Sequence, residues 1–365
     1  MSRGSTAQMT GAAALAGAIM IAAACGPTQA QGPGPQPSPV DIDIRTAFDP
    51  PPADARTLAI VDAATAFLAT LSADQRESAV YGLDDNAQRS NWSNLPEGIV
   101  RRGGVRRGDM SEAQLAALDA LLGEVMSADG VENIRYQLAA EDMLEGGPGR
   151  PDFGSDFYFV SFLGEPAADA PWMLQFGGHH LAINATFLGP DASFSPMLTG
   201  GQPLHITYDG QPVVITEAET AAAQALLDSL DEDQKTAAIR GDRAINMLLG
   251  PGAFGTTIAP EGVRGGDLSD AQQALLLTVV EKRLGFINAD DFAAAMATIE
   301  AEIDETYFGW WGPQGVLGTA YYRVTAPSAV LEYAPQGFGG GAIDHAHSMY
   351  RNPRNDYGVA WIGAE

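Results

Sequence analysis

Apolar positions along the chain follow two different periods. Leu115, Leu118, Leu121 and Leu122 recur at helical spacing behind Ser111, the mark of one buried helix face. Tyr158, Val160 and Phe162 fall on one side of an alternating segment, as in a strand. Both patterns occur twice, in the same order. FLATLSADQRESAV (67–80) resembles LLDSLDEDQKTAAI (226–239). LPEGIVRRGGVRRGDMSEAQLAALDALLGEV (95–125) resembles IAPEGVRGGDLSDAQQALLLTVVEKRL (258–284). The shared frame is a helix with Asp-Gln in its polar turn, a loop carrying Pro-Glu-Gly, and Ser-(Glu/Asp)-Ala-Gln opening a second helix. Ser111 and Ser269 have the chemistry of N-caps, each followed by an acid in the first helical turn.

Aromatic, β-like sequence follows each helical unit. DFYFVSFLGEPAADAPWMLQF (156–176) and ETYFGWWGPQGVLGTAYYRV (305–324) both read as strand, turn, strand. The expected fold is therefore α+β, with helices on one face of a mostly antiparallel sheet. It is built from two degenerate repeats, 53–216 and 217–365, each a helical pair plus an antiparallel β-hairpin or sheet. The two are packed around a shared site, because duplicated units bury apolar faces on each other and sites form at such junctions. Trp172, Trp310 and Trp311 fit core or pocket wall.

The N-terminus is patterned differently. GAAALAGAIMIAAAC (11–25) is an apolar run of signal-peptide length, so residues 1–25 are expected to act as a signal peptide. It ends at Cys25, the sole cysteine. Small residues before Cys25 and Gly26 after it resemble a bacterial lipoprotein box, in which the thiol is lipidated. Cleavage after Thr28-Gln29-Ala30 is the alternative and would discard the cysteine. Residues 26–52 begin with GPTQAQGPGPQPSPV and read as an extended Pro/Gly-rich tether. The expected location is the cell envelope, as an exported, lipid-anchored lipoprotein without disulfides.

Charge narrows the partners. The chain carries 46 acidic and 20 basic residues, a net charge of −26. That excludes a phosphate-binding basic face, and with it nucleic acid, as well as electrostatic docking on anionic lipid. Membrane contact is expected only through the N-terminal anchor, and the partner is a small molecule or a metal ligand.

Only five histidines occur, and four of them are paired. His179 and His180 lie in FGGHHLAIN (176–184); His345 and His347 lie in DHAHSMYRNPRNDYG (344–358). The duplicated frame does not call for the first pair, since Pro327-Ser328 stands at the matching place. Residues i and i+2 of a strand face the same side, so His345 and His347 can grip one ion. Neighbours face opposite sides, so His179 and His180 cannot both do so from a regular strand unless Gly177-Gly178 bends the chain. His180 is the favoured ligand of the two. Asp344 or Asp356 is a candidate further ligand, and Asn184 and Glu332 are candidates for orienting a histidine. Such a donor set suits a divalent transition metal, Zn, Fe or Cu. A metal-free alternative makes the histidines general acid and base, with Arg351 and Arg354 holding an anion. The equal alternative is an Arg–Asp pair that staples the C-terminal loop. His205, in PLHITYDG, reads as a packed or surface residue.

PWMLQFGGHHLAINATF is similar to the Q-x-x-GHH-L-x-x-N segment of the DUF3500 family, proteins of unknown function. YYRVTAPSAVLEY followed by HAHSMYRNPRNDYG resembles that family's C-terminal signature, over a total span of about residues 55–358. Ala326 and Asn352 depart from the pattern, where Gly and Asp are usual. The resemblance implies an exported or lipoprotein-type protein and one site made of His179, His180, His345 and His347; it implies no chemistry. Three functions fit. The first is a metal-dependent enzyme, a hydrolase before an oxidoreductase, with Arg351, Arg354 and Asp356 beside the ion. The second is a metal-binding or delivery lipoprotein without turnover. The third is a non-metal binding module.

Overall fold

A computed structural model describes residues 40–144, 152–337 and 344–364; Cys25 and the segment read as a signal peptide lie outside them. The first run of elements is α1 (Ala55–Thr70), α2 (Ala73–Ala79), β1 (Val80–Tyr81), α3 (Asn86–Arg89), β2 (Val105–Arg106), α4 (Glu112–Val125), α5 (Ala128–Leu144), β3 (Phe159–Leu163), β4 (Trp172–Gly178), β5 (Leu181–Leu188), β6 (Asp191–Ser193) and β7 (Met197–Gly201). A small hairpin follows, β8 (His205–Tyr208) and β9 (Gln211–Val214). The second run is α6 (Glu217–Ser229), α7 (Glu232–Ala238), β10 (Ile239–Gly241), β11 (Val263–Arg264), α8 (Asp270–Leu284), α9 (Ala289–Ala301), β12 (Tyr307–Trp311), β13 (Tyr321–Thr325), β14 (Val330–Pro335), β15 (Ala346–Arg351) and α10 (Val359–Ile362). The fold is α+β, with ten α-helices among the described residues and one large mixed sheet. None of these helices is long and apolar enough to cross a membrane.

The paired glutamine motifs are helix starts that lock onto each other. Ser72 and Ser111 each cap a helix in a box closed by the glutamine three residues on, Gln75 and Gln114. Asp231 with Gln234, and Ser269 with Gln272, repeat the arrangement. Each glutamine oxygen accepts its own cap's backbone N–H, which leaves the amide nitrogen to reach across. Gln114 Nε2 donates to Gln75 Oε1 at 2.8 Å, and Gln272 Nε2 donates to Gln234 Oε1 at 2.7 Å. One helix start thus fixes another about 40 residues away in each half.

The sheet runs β1-β3-β4-β5-β7-β15-β14-β13-β12-β10, with β2, β6 and β11 paired beside β3, β5 and β12. Its centre is the antiparallel pair β7 and β15, where Thr199 stands opposite Ser348. Among the described residues only β1 on β3 and β10 on β12 are parallel. Tyr158, Val160 and Phe162 face the helices and join the main core with Phe67, Leu118, Leu226 and Leu276. Trp172 and Trp310 belong to that core, and Trp311 packs with Tyr321 and Ala334.

Loops and chain ends cover the opposite face of the sheet. Val40 and Ile42, within the stretch 26–52 read as a tether, pack with Leu163, Met173, Tyr357 and Ile362. Ile44 bridges to Gly363, and the Trp92 indole donates to the Tyr357 hydroxyl at 2.7 Å. Both ends of the described chain are therefore tied to the face that carries His347.

Candidate metal centre

His179 and His180 form the tip of a tight hairpin. β4 and β5 pair up to Gly178 opposite Leu181, leaving only the two histidines to turn the chain. The bend lies at the histidines themselves, and the two glycines before them allow close packing beneath it. A Cβ on Gly178 would lie 2.7 Å from the Tyr158 ring, and one on Gly177 would lie 2.3 Å from the Leu181 carbonyl oxygen. Tyr158 uses that space to donate its hydroxyl to the His179 carbonyl at 2.6 Å. Farther down the hairpin, Gln175 and Asn184 stand opposite each other and bond side chain to side chain at 3.0 Å. Asn184 then donates to the Pro196 carbonyl. These two residues hold the hairpin arms together.

The turn makes His180 take the left-handed conformation, φ 61°. Histidine tolerates it better than most residues, yet it costs about 1–3 kcal/mol and persists only where neighbours impose it. Two neighbours do so here. Glu141 Oε1 lies 2.9 Å from His180 Nδ1, and His345 Nε2 lies 3.0 Å from His180 Nε2. The His179 ring stacks on His180 with centroids 3.5 Å apart. Its Nδ1 lies 2.8 Å from Glu141 Oε1, out of line for a full hydrogen bond.

His345 and His347 share one face at the start of β15, as their i, i+2 spacing predicts; their ring centroids are 5.0 Å apart. The His347 ring centroid is 5.2 Å from that of His180, and its Nδ1 lies 3.4 Å from Asn94 Nδ2. The two distant stretches therefore meet. Two overlapping groups are placed to hold an ion, His180–His345–His347 and Glu141–His179–His180; within each, three ligand atoms lie within 4.8 Å of one another. All five residues are buried, and Glu141 and His180 are each 1% exposed. Three buried atoms here, His347 Nε2, Glu141 Oε2 and His179 Nδ1, have no hydrogen-bond partner among the described residues. Buried polar atoms are normally satisfied, so a cluster of three orphans points to a missing species.

Burial presses His180 down to about 3, with the neighbouring His179 and His345 rings adding to the shift, although Glu141 opposes it. Burial likewise holds His347 well below the ordinary imidazole value, helped by His180 and His345. Burial alone would raise Glu141, but the His180 hydrogen bond and the adjacent His179 ring prevail and hold it at about 2. At neutral pH His180 and His347 are therefore neutral beside the Glu141 carboxylate, the protonation state a cation requires of its ligands. The folded imidazole values lie below the unfolded value near 6.5, so unfolding takes up protons as the medium acidifies. The metal-free protein should be most stable above about pH 6.5 and lose stability steadily as pH falls toward 3. Melting temperature measured against pH checks this. A flat profile between neutrality and pH 4.5, or an equal slope in His180→Leu, would contradict it.

The other residues singled out in the sequence lie elsewhere. Arg351 and Asp356 pair with each other; Arg351 also donates to the Leu249 and Gly250 carbonyls, and Asp356 accepts the Ser195 hydroxyl at 2.6 Å. These are the contacts of a staple for the C-terminal loop. Arg354 is exposed and pairs with Glu302 at 2.5 Å. None of the three contacts a histidine among the described residues. Four residues along a strand put Arg351 about 13 Å beyond His347. Asp344 accepts backbone N–H groups of Leu204 and His205 and lies 3.0 Å from His205 Nδ1, with the His205 side chain half exposed. Glu332 accepts the N–H groups of Leu248 and Leu249 and the Tyr321 hydroxyl.

Glu141 was not apparent from the sequence. It completes a buried stripe on α5, Gly130, Ile134, Gln137 and Glu141, at spacings of four, three and four. An acid on such a stripe is the signal that could have found it. The second half shows the same device with other residues. Glu302, at the end of α9, accepts the backbone N–H and hydroxyl of Ser328 at the β13–β14 turn. A helix-end carboxylate thus holds a hairpin turn in both halves, and only the first turn is made of imidazoles.

The arrangement defines a class: an α+β protein with a buried, carboxylate-backed histidine centre at the middle of its sheet. Residues 53–359 match the DUF3500 family, described as a protein of unknown function, and the chain belongs to that family. No curated protein and no solved structure matches it.

Proposed function

We propose that His180, His345 and His347 hold one divalent transition-metal ion through their Nε2 atoms and that the protein is a metal-dependent hydrolase. One observation carries the reading: His180 gives Nδ1 to Glu141 and Nε2 to His345. A ligating imidazole whose other nitrogen binds a carboxylate is the usual support for a metal site, fixing both ring orientation and basicity. In a tetrahedral site with bonds near 2.1 Å, ligand nitrogens stand roughly 3.4 Å apart; His180 Nε2 and His345 Nε2 are 3.0 Å apart, and all three ligand atoms lie within 4.8 Å of one another. Three protein nitrogens leave a fourth position for water or substrate, the hallmark of catalytic rather than structural sites. An ion there would polarise a carbonyl and lower the pKa of a bound water. His179, against Glu141, is a neighbour of the ion rather than a ligand. Zn, Fe and Cu all suit these donors.

We also propose that the two runs are copies of one ancestral unit related by an approximate two-fold through β7 and β15. Matching element order and glutamine caps support this. Export and anchoring through Cys25 complete the proposal, on the strength of the apolar leader and the residues around that cysteine.

Cobalt substitution tests the site. Co(II)-loaded protein should show a tetrahedral visible spectrum that shifts on adding azide or cyanide, because the fourth position is open. A spectrum that forms but ignores both anions would replace the enzyme with a closed carrier. No cobalt uptake would end the metal reading.

A further inference from the structure

A second site lies on the helix side of the sheet, behind β15. α5, α6 and the α8–α9 junction enclose a cleft of about 500 Å³, within the size range of small-molecule pockets. Glu219, in the first turn of α6, lines it and is 5% exposed. Its Oε2 accepts the Ser348 hydroxyl at 2.7 Å. Among the described residues no basic side chain forms an ion pair with it. Burial raises its pKa, and Arg283, Ser348 and Tyr322 oppose that shift. Arg283 stands near without an ion-pair contact, its Nη2 donating to the Met197 and Ser348 carbonyls and its Nε and Nη1 having no hydrogen-bond partner among the described residues. A buried carboxylate without a contact counter-ion is costly, and a bound cation would relieve that cost.

The walls choose the kind of cation. Tyr136, Phe286 and Phe292 line the cleft, and its margin is mostly acidic, with Asp129, Glu132, Glu217 and Glu281 against one lysine, Lys282. Aromatic faces attract ammonium groups, and the apolar side chains suit a hydrocarbon body. A bare hard cation would need six or more oxygen ligands, whereas one carboxylate is buried here. We propose that this cleft binds an organic cation, an amine attached to an apolar body, with the ammonium group on Glu219. It stands apart from the histidine centre, on the other face of β15.

Calorimetric titration of the full chain with phenethylammonium, and separately with 3-phenylpropionate, tests this. Phenethylammonium should bind saturably and phenylpropionate should not. Glu219→Gln should weaken binding about tenfold, the effect of removing a charged hydrogen-bond partner. Should Glu219→Gln fail to fold, Phe292→Ala and the surface double variant Glu132→Gln, Glu281→Gln stand in, each expected to weaken binding about threefold. No saturable binding at millimolar ligand, equal binding of the carboxylate analogue, or affinity unchanged in the folded variants would each overturn the proposal.

Discussion

Full-length protein purified without a histidine tag is expected to retain about one transition-metal ion per chain, and the His345→Ala, His347→Ala double variant to retain none. Elemental analysis reads both numbers. The double variant removes two of three nitrogens and leaves His180 with Glu141, too few donors for a tight site. Stability separates this from a structural role for the imidazoles. A metal at a thousand times its dissociation constant stabilises the folded state by about 4 kcal/mol, which is several degrees in melting temperature for a chain this size. Added metal should therefore raise the melting temperature of the parent protein and leave the double variant unmoved. In metal-free form the variant should melt somewhat below the parent, since it loses the His345 contact to His180 and leaves space where two buried rings stood, so the metal effect is read as the shift on adding metal. Metal retained in the variant would refute the ligand assignment, and a large loss of metal-free stability would make the histidines structural.

Glu141→Gln is the second substitution with a large expected effect. It keeps the shape of the side chain but exchanges an ionised acceptor for a neutral amide beneath two imidazoles. Outer carboxylates of this kind contribute about 10- to 100-fold in metal affinity, or about 1.4–2.8 kcal/mol. The substitution should weaken metal binding by that factor with the stoichiometry still near one, measured by competition with a chelator. Unchanged affinity would mean that Glu141 serves only the hairpin turn, as Glu302 does in the other half.

Local periodicity made much of the scaffold legible. The leucine spacing of α4, the caps at Ser111 and Ser269 and the alternation of Tyr158, Val160 and Phe162 all depend on near neighbours, and each appears where the pattern put it. The i, i+2 geometry of His345 and His347 was readable for the same reason. Tertiary contacts were less so. Alternation along a strand forbids His179 and His180 from cooperating, but a two-residue turn suspends that rule, and nothing short of strand register shows that the turn falls there. Glu141 is about 40 residues from the hairpin and 200 from β15, so only the fold unites them. Arg351 and Asp356 had the right chemistry for either substrate or staple; the choice lay in which carbonyls faced the guanidinium.

The sheet's margins have a consequence for behaviour at high concentration. Both outermost long strands are tiled along their free side by fragments. β2 and β1 cover β3, and β11 and β10 cover β12, each fragment being two or three residues long. An exposed strand edge templates pairing with other molecules. Among the described residues neither margin of the large sheet offers a long run of unsatisfied amides, so crowded copies find no long edge on that sheet from which to polymerise into fibrils.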